Sequence, residues 1–219
     1  MYTRGEAMGL IRSKKELELI LSRINWYRHS KKRLEQYQTP PSIVAHMVWT
    51  AYMRGDVEGL TIGDYGCGDG RISIASILMG ARRAVCVDID EDILLHGLGT
   101  VTSLFPGVAG RVLYVDADVE RLGLKDVDTV LMNPPFGVVA ENRGLDIVFL
   151  RRAMATARSI YSIHKYSEAF IDIAREVAED NGFTLDSYEL LDFEIPMMFE
   201  THRRRIYRVK TVFIILTRV

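Results

Sequence analysis

The first 55 residues begin with apolar positions separated by charged ones and continue into a mostly apolar stretch, and each part predicts one helix. In residues 14–37, KKELELILSRINWYRHSKKRLEQY, apolar side chains fall at 17, 19, 20, 21 and 24 with charges between them, which favours a helix. A second helix is predicted in TPPSIVAHMVWTAYMRG, because Thr39 can cap its start and the two prolines suit its first turn. Two helices therefore precede any strand.

From residue 60 the pattern changes to short, mostly apolar and β-branched runs. Four such runs come first, LTIGDY, RAVCVD, RVLYV and VDTVLM. Between the first three lie segments of helical character, RISIASILMGA and EDILLHGLGTVTSLF. Strands and helices that alternate at this length imply a parallel sheet covered on both faces.

The last third of the chain adds three strands. LDIVFLRRAMATA is predicted as a helix, RSIYSI as a strand, and SEAFIDIAREVAEDNG as a helix that Gly182 ends. The closing strands FTLDSYELLDFEIP and RVKTVFIILTRV are joined by a loop of about ten residues, too short for a helical crossover, so they should pair antiparallel. The predicted fold is α/β, with N-terminal helices and a seven-stranded, mostly parallel sheet whose last strand is antiparallel.

Composition narrows the class of protein. The 219 residues, 48% hydrophobic and 26% charged and without repeats, predict a single domain over 1–219 in which residues 1–55 help to build the ligand site. Cys67 and Cys86 stand singly, so we expect buried packing in a reducing compartment and neither a metal site nor a disulfide. No run approaches the roughly 20 apolar residues of a membrane span, and the polar start lacks a signal-peptide core, which predicts a cytoplasmic protein.

Charge is distributed unevenly along the chain. Residues 1–55 carry ten Lys and Arg against four Asp and Glu, residues 56–130 carry six against thirteen, and residues 196–219 carry six against one. Basic chain ends beside an acidic middle permit an anionic partner, although solvated helix faces would give the same pattern.

A glycine cluster follows the first predicted strand. In GDYGCGDGRIS the acid Asp64 precedes Gly66, Gly68 and Gly70, and Arg71 stands where the nicotinamide-cofactor fingerprint would place its third glycine. An acid at this strand end suits a cationic ligand better than a pyrophosphate. S-adenosylmethionine has such an end, an ammonium group that Asp64 could attract.

The next two strands also end in acids. Asp88 can accept both hydroxyls of a ribose, as acids do at this position in dinucleotide-binding folds, and Asp90 is predicted to cap the following helix. After the third strand, Asp118 and the amide of Val119 are placed to bind an adenine edge, with Asp116 as the competing acid. Acids at three successive strand ends indicate a ligand site beyond the carboxyl edge of the sheet.

The fourth strand runs into Asn133-Pro134-Pro135-Phe136. The Asn133 amide oxygen and the Pro134 carbonyl can accept hydrogen bonds, and Phe136 offers a ring face. Two acceptors and a stacking surface match a planar group that bears an NH₂. Such an amine is a poor nucleophile, and acceptors on its hydrogens would favour attack on a methyl group mainly by positioning.

These motifs together resemble the class I S-adenosylmethionine-dependent methyltransferases. Over roughly residues 32–219 the chain is similar to the small-subunit ribosomal RNA adenine-N6 methyltransferases of eukaryotes and their archaeal relatives, on LEQYQTPPSIVAHM, DYGCGDGRISI, VDIDEDIL, MNPPFG and GLDIVFLRRAMATARSIYSIHK. The sequence departs from that family at Gln38 and Pro40 and in its charged CGDGR loop.

The resemblance implies an S-adenosylmethionine site and an RNA-binding rim. The implied cofactor residues are Gln36, Thr39, Asp64, Gly66, Gly68, Gly70, Asp88, Asp118, Val119 and Asn133. Tyr161, His164 and Lys165 would form a substrate-side wall. The alternative for His164, a polar residue at the start of a helix, is nearly as well supported. Independently of the resemblance, the turn between the last two strands should lie on the ligand side, because the sixth strand should run parallel to its neighbours. Phosphates would meet the basic residues there unless these are merely solvated, namely Arg203, Arg204, Arg205, Arg208 and Lys210, with Lys31, Lys32 and Arg33 beside them.

Two further expectations follow from the resemblance. Relatives work with a small zinc-binding activator protein that adds a strand to the sheet edge, which would cover RVLYV if that strand lies at the edge. Guanine-N2 methylation of RNA, N5-glutamine methylation of a protein, and a catalytically silent cofactor-binding adaptor remain compatible with Asn-Pro-Pro-aromatic. The preferred hypothesis is N6-methylation of an adenosine in ribosomal RNA.

Overall fold

The computed structural model describes residues 11–125, 127–196 and 206–219. They form six helices, α1 Lys14–Leu21, α2 Pro41–Met53, α3 Arg71–Leu78, α4 Glu91–Leu104, α5 Leu145–Thr156 and α6 Glu168–Asp180. The strands are β1 Thr61–Tyr65, β2 Arg83–Asp88, β3 Val112–Asp116, β4 Thr129–Met132, β5 Ser159–Lys165, β6 Phe183–Pro196 and β7 Ile206–Arg218. None of the helices in these ranges is both long and apolar enough to cross a membrane.

The seven strands form one mixed sheet in the order β3-β2-β1-β4-β5-β7-β6. The pairs among β1 to β5 are parallel, and β7 runs antiparallel to both β5 and β6. The predicted fold class is confirmed. Strand order reverses between β1 and β4, which opens a crevice at their carboxyl ends.

Helices cover both faces of the sheet. One core joins residues of α1 to α4 to the sheet, and a second joins residues of α5 and α6 to the opposite face. Strands buried on both faces need continuous apolar runs, and Thr61–Tyr65 and Thr129–Met132 are buried throughout. Burial on both faces therefore explains why the strands appear in the sequence as short, uninterrupted apolar runs.

The N-terminal segment differs from its prediction. Helix α1 ends at Leu21, and residues 22–40 cross the carboxyl edge of the sheet with only a 3₁₀ turn at Lys32–Leu34. Polar groups of this segment bind other parts of the chain, as in the bond from Gln36 Nε2 to Asp90 Oδ2. Thr39 does not cap α2, whose N-cap is Pro40 without a side-chain hydrogen bond.

The β6–β7 hairpin extends past the sheet. Lys165, the last residue of β5, pairs with Thr211, and the hairpin continues through Asp192↔Lys210 to Pro196↔Ile206. Phe193, on this extension, is fully buried. The hairpin therefore rises beside the carboxyl ends of β4 and β5, and the predicted basic turn at Arg203, Arg204 and Arg205 lies outside the described residues.

Cys67 and Cys86 form a disulfide, so the expectation of two separate buried thiols was wrong. The turn after β1 folds back over β2, where Cys67 N donates to the Val87 carbonyl and the two Cα atoms stand 5.3 Å apart. The disulfide ties the glycine loop to the neighbouring strand.

Candidate active site

A cavity of about 300 Å³ lies at the carboxyl edge where β1 and β4 diverge. Its wall combines the N-terminal segment, the glycine loop and the ends of β2, β3 and β4. Nine of the residues predicted for the site line it, namely Gln36, Thr39, Gly66, Gly68, Asp88, Asp118, Val119, Asn133 and Pro135. The structure thus gathers most of the residues predicted for the cofactor site and the acceptor corner around one pocket.

The glycine loop needs its glycines for two reasons. Gly66 and Gly68 have φ of +68° and +55°, a left-handed conformation that side chains rarely adopt, and a Cβ on Gly66 would stand 3.0 Å from the ring of Phe149. Gly70 does not line the pocket. It is the N-cap of α3, where a Cβ would approach Tyr114 Oη to 2.7 Å. Its place is structural.

Asp64 lies behind the loop and not in the pocket. Its Oδ2 accepts hydrogen bonds from the Ser73 backbone N–H at 2.9 Å and from Ser73 Oγ at 2.8 Å. The side chain is fully buried, and burial raises the pKa of Asp64 to about 7. The expectation that this carboxylate attracts a ligand ammonium is corrected, because it instead fixes the first turn of α3.

Asp88 faces the pocket from the end of β2. Its two oxygens accept from the backbone N–H groups of Gly68, at 2.9 Å, and Asp90, at 3.0 Å. Burial raises the pKa of Asp88, and the bond from Gly68 opposes that rise. Each carboxylate oxygen keeps a further lone pair for a ligand hydroxyl.

Asp90 caps α4 by accepting from the Asp92 N–H, as predicted. It also binds the N-terminal segment, with Lys31 Nζ at 2.6 Å and Gln36 Nε2 at 2.7 Å. Burial acts to raise the pKa of Asp90, but the bonds from Lys31 and Gln36 outweigh it and lower the pKa. Lys31 also contacts Asp92 at 2.8 Å, so its ammonium is engaged here and the expectation of a phosphate contact is corrected.

The third strand presents one acid to the pocket. Asp118 lines it together with Val119, whereas Asp116 is the last residue of β3 and is not part of the wall. Asp118 Oδ1 accepts from the Glu120 N–H at 2.9 Å, which orients the carboxylate at the start of a 3₁₀ turn.

Asn133 is held by the N-terminal segment. Its Nδ2 donates to Thr39 Oγ1 at 2.9 Å, while its Oδ1 is buried without a hydrogen-bond partner among the described residues. Pro134 is buried behind it. Phe136 packs edge-on against Phe193, with ring centroids 5.7 Å apart, and is 9% exposed. The corner therefore offers one oriented acceptor, backed by an aromatic pair.

Glu35 was missed by the sequence reasoning, although it opens the EQYQT motif. It has a left-handed backbone, with φ of +50°, and its Oε1 accepts from the Val139 N–H at 2.8 Å and from Asn142 Nδ2 at 3.1 Å. These bonds tie the N-terminal segment to the loop that follows Phe136. The sequence carries no local signal for this role, because the partners of Glu35 lie 104 and 107 residues further along the chain.

Gln38 and Arg71 were also missed as pocket residues, as was Phe149. Gln38 Oε1 and two nitrogens of Arg71, Nε and Nη1, are buried and lack partners among the described residues. Together with Asn133 Oδ1 they leave donors and acceptors unsatisfied around one cavity. Such groups fit a ligand that itself carries both acceptors and donors, as S-adenosylmethionine does.

Two predicted RNA contacts are corrected. Tyr161 is buried and donates to Asp56, and His164 is buried with Nε2 2.6 Å from Ser162 Oγ and its ring stacked on Phe170. Burial lowers the pKa of His164 and favours the neutral imidazole. Neither side chain has a surface for a phosphate. Lys165, the next residue, is exposed at the edge.

Known proteins are similar to this chain in sequence, and one solved structure is similar to it in fold. It is 34% identical over 209 residues to the rRNA N(6)-adenosine-methyltransferase METTL5 of Danio rerio, covering 93% of this chain and 98% of that protein. It is 41% identical over 160 residues to the rRNA N(6)-adenosine-methyltransferase Mettl5 of Drosophila melanogaster, covering 70% of this chain and 73% of that protein. The crystal structure of the proposed RNA methyltransferase PH1948 from Pyrococcus horikoshii has a TM-score of 0.82 at 28% identity, covering 94% of this chain and 98% of that one.

A family model matches a shorter part of the chain. The model for ribosomal protein L11 methyltransferase (PrmA) matches residues 46–95. This range contains the glycine loop and Asp88 and ends before Asn133. The family-model match therefore covers the half of the pocket that precedes the Asn-Pro-Pro-Phe corner.

Proposed function

The chain belongs to the family of rRNA N(6)-adenosine-methyltransferases, S-adenosylmethionine-dependent enzymes, and we propose that it methylates N6 of an adenosine in small-subunit ribosomal RNA. One observation carries the assignment of the acceptor site. Asn133 gives its amide N–H to Thr39, so its oxygen, the atom that can accept from an amine, is the one left free.

The exocyclic amine of adenine has its lone pair delocalised into the ring. A hydrogen bond from that amine to Asn133 Oδ1, and a second to the Pro134 carbonyl, would favour a tetrahedral nitrogen whose lone pair is localised and directed toward the cofactor half of the pocket. The nitrogen would lose one proton to solvent after it has accepted the methyl group, and S-adenosylhomocysteine would leave. When bound, S-adenosylmethionine supplies the electrophilic methyl group. The corner acts by fixed position and electrostatics, which require no ionisable base in the transfer step.

The cofactor half offers matching groups. Asp88, Asp118 and Val119 line the pocket; Asp88 would accept from the ribose hydroxyls, and Asp118 with the Val119 amide would bind the adenine edge of the cofactor. Glu35 and Thr39 connect the N-terminal segment to the acceptor corner. The segment therefore contacts both halves and would hold them in register.

Exposed cations near the mouth support an RNA substrate. Lys165 ends β5 at the carboxyl edge, Lys210 is on the hairpin extension, and Arg33 is on the N-terminal segment. Phosphates would bind them without sequence readout and with salt-sensitive affinity. An adenosine within structured RNA must also leave its stack before it can reach Asn133, at a cost of a few kcal/mol.

We extend the proposal to a small zinc-binding activator that pairs with β3. This strand is at the sheet edge, with Leu113 43% exposed, and α4 beside it exposes Leu95 and Leu98. An open edge next to apolar side chains supports strand addition by a partner. A Leu113→Lys variant should lose co-elution with such a partner in size-exclusion chromatography, and unchanged co-elution would contradict this docking site.

The function is tested by following the label from tritiated S-adenosylmethionine. The purified protein is incubated with ribosomal subunits, and RNA and protein are then separated, with a parallel reaction inhibited by excess S-adenosylhomocysteine. We expect label in small-subunit ribosomal RNA only. Label confined to protein, or to large-subunit RNA, would contradict the proposal.

A further inference from the structure

Arg71 is a buried cation in the wall of the pocket. It is 2% exposed, at the first residue of α3, and its Nη2 donates to Asp69 Oδ2 at 2.8 Å. Asp69 is itself buried and balances the charge of the guanidinium. The remaining nitrogens, Nε and Nη1, have no hydrogen-bond partner among the described residues. Buried donors without partners are costly, so a ligand acceptor is expected beside them.

The packing around Arg71 fixes its direction. Its guanidinium lies over the ring of Trp26, 4.9 Å from the ring centroid. The adjacent residue, Tyr27, accepts a hydrogen bond at its carbonyl from Gln38 Nε2 at 3.0 Å. Gln38 Oε1 is then the free atom of that amide, and it is buried without a partner among the described residues. Trp26 thus positions the free Nε and Nη1 donors of Arg71, and Tyr27 positions the free Oε1 acceptor of Gln38, at the same pocket.

The Arg71–Asp69 pair and the nearby Gln38 Oε1 together can bind a ligand group that carries both a carboxylate and an ammonium. Of the two ends of S-adenosylmethionine, only the amino-acid end carries a carboxylate, which the guanidinium nitrogens can bind, and an ammonium, which an amide oxygen can accept from. Asp64, the other acid near the loop, is engaged by Ser73 behind the pocket wall. The nucleoside end already has Asp88 and Asp118 as partners.

We propose that Arg71 binds the α-carboxylate of the methyl donor and that Gln38 Oε1 accepts from its ammonium. This inference rests on the proposed function only for the identity of the cofactor. It gives two residues outside the glycines and strand-end acids a direct role in binding. The competing role is structural, with Arg71 serving only to clamp Trp26 to Asp69.

The test compares ligands that differ by one group. Isothermal titration calorimetry measures the affinity of the wild type, Arg71→Met and the matched control Arg82→Met, an exposed arginine at the opposite edge of the sheet. The ligands are S-adenosylhomocysteine and its decarboxylated counterpart, which keeps the amine and lacks only the carboxylate. Arg71→Met should lower the affinity for S-adenosylhomocysteine about ten- to hundredfold. It should lower the affinity for the decarboxylated ligand less than about twofold. Arg82→Met should change neither affinity.

Gln38 is tested with a third ligand. Gln38→Leu should lower the affinities for the first two ligands by similar factors. It should leave the affinity for 5′-methylthioadenosine, which lacks the amino-acid end, unchanged. An equal loss for all three ligands in either variant would show a structural role and overturn the inference.

The wild type alone also decides the question if a variant does not fold. It should prefer S-adenosylhomocysteine to the decarboxylated ligand by about tenfold or more, and equal affinities would overturn the role of Arg71. A wild type that binds S-adenosylhomocysteine but fails this comparison contradicts only the inference. A wild type that binds none of the three ligands contradicts the proposed function itself.

Discussion

Replacing Thr39 by Val should slow methyl transfer without removing cofactor binding. The hydroxyl of Thr39 accepts from Asn133 Nδ2 at 2.9 Å, and Val has nearly the same shape without the acceptor. In the variant the Asn133 amide can rotate by half a turn and present Nδ2, a donor, to the target amine. A neutral hydrogen bond of this kind is worth about 0.5–1.5 kcal/mol, which corresponds to about a two- to tenfold lower kcat.

Single-turnover kinetics with labelled S-adenosylmethionine and RNA would measure this loss, and calorimetry with S-adenosylhomocysteine would show whether the cofactor Kd changes. Thr39→Ser is the matched control, because it keeps the hydroxyl and should retain most of the wild-type rate. A Val variant as fast as the wild type, or a Ser variant as slow as the Val variant, would refute the view that this hydroxyl orients Asn133.

Three further predictions concern the corner, the buried acid and the disulfide. Asn133→Ala should reduce transfer below detection while S-adenosylhomocysteine binds within about threefold of wild type by calorimetry. The folded pKa of Asp64, about 7 against an ordinary 3.8, means that the folded state keeps a proton that the unfolded chain releases, so stability falls as pH rises between these values. Melting temperatures at pH 5 and pH 8 should show that fall in the wild type, and Asp64→Asn should flatten it. Reductant should lower the wild-type melting temperature, since a disulfide closing a loop of 19 residues is worth about 3 kcal/mol, and Cys86→Ala should melt at one temperature with or without reductant.

The sheet could be predicted because its strands are buried on both faces, and strands of this kind have short apolar sequences between amphipathic segments. Polar residues at the ends of such runs must meet at one edge, and for that reason Asp88, Asp118 and Asn133 could be placed around one pocket from sequence. Asp90 was recognised as a cap by its position before α4. These features depend on local pattern and on the rule that parallel strands end on the same side.

Features that depend on tertiary contacts could not be predicted. The 19-residue separation of Cys67 and Cys86 gives no sign that the glycine turn folds back over β2. Residues of β5 such as Tyr161 and His164 are polar enough to suggest a surface, but β4 and β7 flank the strand and helices cover it. The course of residues 22–40 likewise depends on bonds to other parts of the chain, such as that from Gln36 Nε2 to Asp90.

The central claim, that the free oxygen of Asn133 receives the amine of an adenine, is tested most directly by the identity of the methylated nucleoside. Wild type and Asn133→Ala are incubated in parallel with labelled S-adenosylmethionine and small-subunit ribosomal RNA, and the digested nucleosides are separated. The wild type should place its label in N6-methyladenosine and the variant should place none there. Label in N2-methylguanosine, or N6-methyladenosine formed by the variant at the wild-type rate, would contradict it.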